Sequence, residues 1–167
     1  LDRTFNANGV RADYAVGLLL RNITVSNTSD SAVVLNDCYG IDAEWITVGR
    51  GNLGFRLSGG NQLRVAHSLV LRSEQGVTIT GTTSTNTVLP VIEHCVFWNP
   101  SNYAVQISGA YGAEVRHNIF SVVPDQYVYG LGSFSTLNAD YNAIWLQAGA
   151  RVYRKAANPV PIIYETV

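Results

Sequence analysis

The residues with chemistry to offer fall at regular intervals along the chain. His67, His94 and His117 are its only histidines, spaced 27 and 23 residues apart. Imidazoles held at one position of a repeat could share a Zn²⁺ or similar ion, or could lie stacked ring on ring. Glu93, Arg116 and Asp140 follow the same beat, at 23 and 24 residues. Two carboxylates can act as acid and base on a glycosidic bond, but an arginine between them holds both ionised. The other reading of that row is a ladder of surface charges, each contributing little. Trp98, Tyr103, Tyr111, Tyr127 and Gln106 are the candidate ligand contacts. Exposed aromatic rings stack on sugar faces and polar side chains bond hydroxyls; packing between loops is the competing reading.

What must position these residues is a repeat. Segments of the form small–apolar–x–apolar–polar recur as Gly9–Asp13, Ala32–Asn36, Gly54–Ser58, Gly76–Thr80 and Ala104–Ser108, with weaker copies near Val128 and Val152. Their first apolar residues are stepped by 23, 22, 22, 28, 24 and 23. A second segment runs in phase: Arg21–Val25, Glu44–Val48, His67–Leu71, His94–Trp98, His117–Ser121 and Tyr141–Trp145. Its centres are stepped by 23, 23, 27, 23 and 24. Both series lengthen at Gly81–Pro90, which reads as a surface insertion on one coil.

Two short strands per 23 residues, neither able to bury a face alone, require successive coils to stack at a strand spacing of roughly 4.8 Å. The fold class is all-β, a β-solenoid of about seven coils and one domain spanning residues 1–167. On this frame Glu93 and Asp140 lie two coils apart. The outward positions of the first strand column are Val34, Arg56, Thr78, Gln106 and Gly130, with no carboxylate among them.

Gly76–Ile79 and Val115–Phe120, a Gly-Val-x-Ile followed by Val-x-His-Asn-x-Phe, resemble the repeat of right-handed parallel β-helix proteins of the pectate-lyase-like superfamily. The tail Ala139–Trp145 with Gly149–Val152 is similar to the last coils of β-helix regions in secreted bacterial proteins. The resemblance implies right-handedness and an asparagine ladder containing Asn22, Asn118 and Asn142, interrupted by Trp45, Ser68 and Cys95. It also implies where an enzyme of this kind would carry its carboxylates, on outward strand positions of adjacent coils. Enzymes, adhesins and tailspikes share the repeat, so it specifies fold better than activity.

The bulk figures narrow the rest. Of 167 residues, 47% are hydrophobic and 14% charged, a composition that buries a core and excludes disorder. Eleven basic and twelve acidic residues leave a net charge of −1 without a basic cluster, which argues against nucleic acid as a partner. No apolar run approaches the length of a membrane span. Cys38 and Cys95 fall in different columns and are expected as buried free thiols. Asn22 and Asn27 begin glycosylation sequons; Asn22, as a ladder residue, is expected to be inaccessible.

One period back from Thr24 lands on Leu1, and 24 residues on from Ala143 lands on Val167, with no recognisable cap at either end. Two readings stay open: a module excised from a longer β-helix, or a subunit stacking head to tail into a filament. The expected function is that of an extracellular or cell-surface module, structural or adhesive, without catalytic residues or cofactor. Its expected partners are a second copy or adjoining coils, and polysaccharide. The alternative is a fragment of a polysaccharide lyase or glycoside hydrolase whose catalytic carboxylates lie elsewhere.

Overall fold

The computed structural model describes residues 8–81, 90–110, 113–133 and 135–155. The core of the Gly81–Pro90 insertion, Tyr111 and both ends of the chain, where head-to-tail stacking would occur, lie outside the described residues.

Three strands make each coil. The first coil holds β1 (Asn8–Asp13), β2 (Leu19–Arg21) and β3 (Thr24–Val25). The second holds β4 (Thr28–Asn36), β5 (Tyr39–Glu44) and β6 (Thr47–Val48), and the third β7 (Gly51–Ser58), β8 (Asn61–Ala66) and β9 (Leu69–Leu71). The fourth is β10 (Ser73–Thr80), β11 (Val91–Glu93) and β12 (Val96–Trp98). The fifth is β13 (Tyr103–Ser108), β14 (Ala113–Arg116) and β15 (Ile119–Val122). The sixth is β16 (Tyr127–Leu131), β17 (Leu137–Asp140) and β18 (Ala143–Leu146), and β19 (Arg151–Lys155) opens a seventh.

Corresponding strands pair in parallel. Sheet A runs β1-β4-β7-β10-β13-β16-β19, sheet B β2-β5-β8-β11-β14-β17, and sheet C β3-β6-β9-β12-β15-β18. The fold is a right-handed parallel β-helix, with six coils complete in all three sheets and the seventh represented by β19.

Side chains of like kind stack through the interior because each rung repeats the one below. Val25, Val48, Val70, Phe97, Phe120 and Ile144 form one inner column of sheet C. The Phe97 and Phe120 rings lie parallel at 5.1 Å, and Tyr129 meets Phe120 edge-on at 5.5 Å. The small residue heading the sheet A motif also has a cause. It faces inward beside an inward apolar neighbour, and a Cβ on Gly76 would sit 2.5 Å from both the Ala104 carbonyl oxygen and Phe97 Cδ1.

The register corrects the sequence alignment of the first two coils by one residue. Thr47 pairs with Leu69, so Trp45 stands over His67, and Ile46 over Ser68. The inward corner column is therefore Ile23, Ile46, Ser68, Cys95, Asn118 and Asn142. Asn22 is not part of the ladder; it lies in the outward corner column and is exposed, contrary to the expectation for its sequon. The slip arose because Ile46 is apolar where the later coils are polar, so hydrophobicity matched it to Leu69. The seventh motif copy likewise centres on Tyr153, paired with Tyr129, rather than on Val152.

The polar members of the inward corner column satisfy the backbone of the turn. Ser68 Oγ donates to the Ala66 carbonyl at 2.7 Å and accepts the Ile46 N–H at 3.2 Å. Asn118 Nδ2 donates to the carbonyls of Ile92 and Arg116, while its Oδ1 accepts the Cys95 N–H at 2.9 Å. Asn142 repeats the pattern one coil on, accepting the Asn118 N–H and donating to the Val115 carbonyl. These bonds hold the sharp turn between sheets B and C.

Candidate functional site

At that turn the residue preceding each inward corner residue takes a left-handed backbone: Asn22, Trp45, His67, His94, His117 and Tyr141 have φ between 49° and 57°. Such a conformation is uncommon for side chains of this size, and the surrounding rungs hold it in place. From Trp45 onward the rings form an unbroken stack. Successive centroids are 4.7, 5.1, 5.1 and 5.3 Å apart, and no pair of planes is tilted by more than 13°.

The three histidines thus meet their sequence expectation of a shared column, extended by Trp45 and Tyr141. Parallel rings point their nitrogen lone pairs side by side rather than at a common centre, which suits stacking and not tetrahedral coordination. Among the described residues no group of three His, Cys, Asp or Glu side chains is placed to hold a metal ion.

This ridge separates two unlike surfaces. On sheet B the outward row reads Arg21, Glu44, Ala66, Glu93, Arg116 and Asp140. The gap at Ala66 is filled by Arg64 from the adjacent row. Its guanidinium bonds Glu44, and reaches Glu93 at 2.7 Å and Asp42 at 3.3 Å. Arg21 meets Glu44 at 2.6 Å, and Arg116 meets Glu93 at 3.0 Å and Glu114 at 3.4 Å. Hydrogen bonds from Arg64 and Arg21 hold the Glu44 carboxyl below the usual carboxylate range. For Glu93, burial pushes upward, but hydrogen bonds from Arg64 and Arg116 outweigh it and the net direction is down. A general acid needs the opposite shift. Asp140, at the far end of the row, accepts the N–H of Tyr141 at 2.9 Å.

Sheet C presents a different face. One outward row is Thr24, Thr47, Leu69, Val96, Ile119 and Ala143; the other includes Leu71, Trp98, Ser121 and Trp145. Among the described residues, the six strands of this sheet carry no charged side chain. Trp98 is 48% exposed, Ile119 51% and Trp145 73%. Trp98 and Trp145 flank Ser121, one rung away on each side.

The remaining ligand candidates lie on a different wall, sheet A. Tyr103 is only 8% exposed, because its ring lies over Gly130, where a Cβ would come within 2.7 Å of it. It stacks on Tyr127 at 5.6 Å, and its hydroxyl accepts from Arg154 at 3.0 Å. Arg151 and Arg154 both approach the Tyr127 ring, at 5.9 and 5.8 Å. These tyrosines are therefore engaged within the protein. Gln106 is half-buried on the same sheet, paired in register with Thr78 and Gly130. Tyr111 lies outside the described residues. Trp98 is the one member of the candidate set on sheet C, and Trp145 its partner in that row.

Cys38 and Cys95 are both free and buried. Burial pushes the Cys95 thiol up to about 12, and it donates to the Glu93 carbonyl at 3.2 Å, so it is no nucleophile.

Comparison with protein-family models, curated proteins and solved structures finds no match to this chain. Family kinship therefore has no support beyond the repeat, while the parallel β-helix follows from the strand register.

Proposed function

We propose that this protein is a non-catalytic, extracellular β-helical rod with a structural or adhesive role, and that it holds polysaccharide against the outer face of sheet C. Kinship with β-helix repeat regions of secreted bacterial proteins belongs to the same proposal. The observation that carries it is the uncharged face of sheet C, with Trp98, Ile119 and Trp145 open to solvent. Exposed apolar surface of this kind marks binding sites more often than chance placement, and indole faces suit the C–H faces of sugars.

The carboxylates of sheet B support the non-catalytic half of the reading. Asp42, Glu44, Glu93 and Glu114 are all in ion pairs with arginine. Acid–base cleavage needs a pair of carboxyls with one able to carry a proton; of this row only Asp140 stands outside the ion pairs, and it accepts the Tyr141 N–H.

Co-sedimentation with a panel of insoluble polysaccharides tests the binding half. Retention on at least one, lost in Trp98→Ala/Trp145→Ala, is the expected result. Assays for new reducing ends and for unsaturated sugar products on the same panel are expected to stay at background. Turnover on any of them would replace this reading with the lyase or hydrolase alternative.

A further inference from the structure

The spacing of the two tryptophans on sheet C narrows the ligand class, an inference that rests on the polysaccharide reading above. Trp98 and Trp145 occupy one outward row, separated by Ser121, which is 5% exposed between them. Two rungs of a parallel sheet measure about 9.6 Å. That is close to the length of one disaccharide in a fully extended β-1,4-linked chain, whose successive sugars face alternately up and down. Every second sugar of such a chain presents the same face. A ring, a small residue and a ring, one per rung, match that alternation.

The bordering ridge repeats once per rung, half the indole interval. His94 and His117 stand with ring centroids 5.1 Å apart, and each presents an imidazole edge to solvent at its rung, since both are exposed. An imidazole edge both donates and accepts hydrogen bonds, as sugar hydroxyls do. We infer that sheet C binds a linear, uncharged, β-1,4-linked glycan lying parallel to the helix axis. Trp98 and Trp145 stack on alternate sugars, and His94 and His117 bond hydroxyls along one flank.

Two arguments select this occupant. The six strands carry no charge, so nothing there neutralises an acidic glycan. The face is also small for a second protein copy. It is about 25–30 Å long and about 10 Å wide, so its area is roughly 300 Å², whereas a stable dimer buries about 800 Å² on each partner. A single extended glycan chain fits those proportions.

Calorimetric titration with cellohexaose and with maltohexaose tests the inference. Both are glucose hexasaccharides; the first is β-1,4-linked and straight, the second α-1,4-linked and curling. Cellohexaose is expected to bind and maltohexaose to bind at least about tenfold more weakly, a difference of about 1.4 kcal/mol. Trp98→Ala and Trp145→Ala should each weaken cellohexaose binding by about tenfold or more. Trp98→Phe/Trp145→Phe, which keeps two aromatic faces at the same interval, should retain most of it.

The decisive variant is Ser121→Trp/Trp145→Ala, which keeps two indoles but places them one rung apart. With its fold verified by circular dichroism, it should bind no better than Trp145→Ala. Equal affinity for the two hexasaccharides, or recovery of wild-type affinity in the shifted variant, would overturn the inference. Should the shifted variant misfold, the alanine and phenylalanine variants decide alone. Binding of a glycan that ignores both alanine variants would sink this site while leaving the wider polysaccharide reading in place. No binding to any glycan would remove both.

Discussion

The outer faces of sheets B and C share a corner, a rung spacing and a common core, yet differ in almost every other respect. Sheet B carries charge on every strand, and Asp42, Glu44, Glu93 and Glu114 each meet an arginine; among the described residues the strands of sheet C carry none. A parallel ladder places like residues directly above one another, so a charged row is stable only where signs alternate. Arg64 shows the constraint: Ala66 leaves a gap between Glu44 and Glu93, and Arg64 reaches across to fill it. Sheet C has no such pairing to satisfy. On the proposed reading, its exposed indoles serve binding rather than hold the fold together. If that reading holds, the solenoid assigns structure to one wall and recognition to the next.

The largest effects should come from what both walls share. Phe120→Ala, under the stacked rings of Phe97 and Tyr129, is expected to cost about 3–5 kcal/mol in chemical denaturation, with both walls lost in one transition. A biphasic transition would mean that the walls are held separately. Next comes the corner between them. Asn118→Leu strands the Cys95 N–H and the carbonyls of Ile92 and Arg116, and should cost about 2–3 kcal/mol.

A smaller effect separates the walls. Arg64→Met removes the centre of the charge ladder and should lower Tm by about 2–4 °C at neutral pH and low salt. Because the Glu44 and Glu93 carboxyls are held below their unfolded range, their contribution is present above the ordinary glutamate pKa. It is lost as pH falls through the lower folded value. Wild-type Tm should therefore drop on acidification from about pH 5 downward, and the Arg64→Met curve should fall less steeply. Parallel curves would show that the ladder contributes nothing. The smallest effect on stability belongs to sheet C. Trp98→Ala and Trp145→Ala should each change stability by about 0.5 kcal/mol or less, as exposed positions do, while removing glycan binding.

Much of this architecture was legible in the spacing of residues alone. The 22–28-residue beat identified coils, the shared column of His67, His94 and His117 and the Glu93–Arg116–Asp140 row all recur in the register. Where the reading failed, a buried corner changes polarity along the stack: Ile23 and Ile46 stand where Ser68, Cys95 and Asn118 stand later. That hid Trp45 from the ring column and put Asn22 in the wrong one. Arg64 was missed because it belongs to the neighbouring row and enters the ladder only through its length. An alanine in an otherwise charged row, with an arginine two residues before it, was the available signal. For Tyr103 the sequence left ligand contact and packing both open, because nothing in its own segment showed that Gly130, one coil later, leaves space for its ring.

The central claim is that sheet C is the recognition wall and sheet B the structural one. Hydroxyl-radical footprinting of the protein with and without cellohexaose reads both walls at once. The account predicts that Trp98 and Trp145 become protected on binding, while exposed Tyr14 and Tyr39 keep their reactivity. Unchanged modification of both indoles in the bound state, or protection confined to sheet A or sheet B, would contradict it.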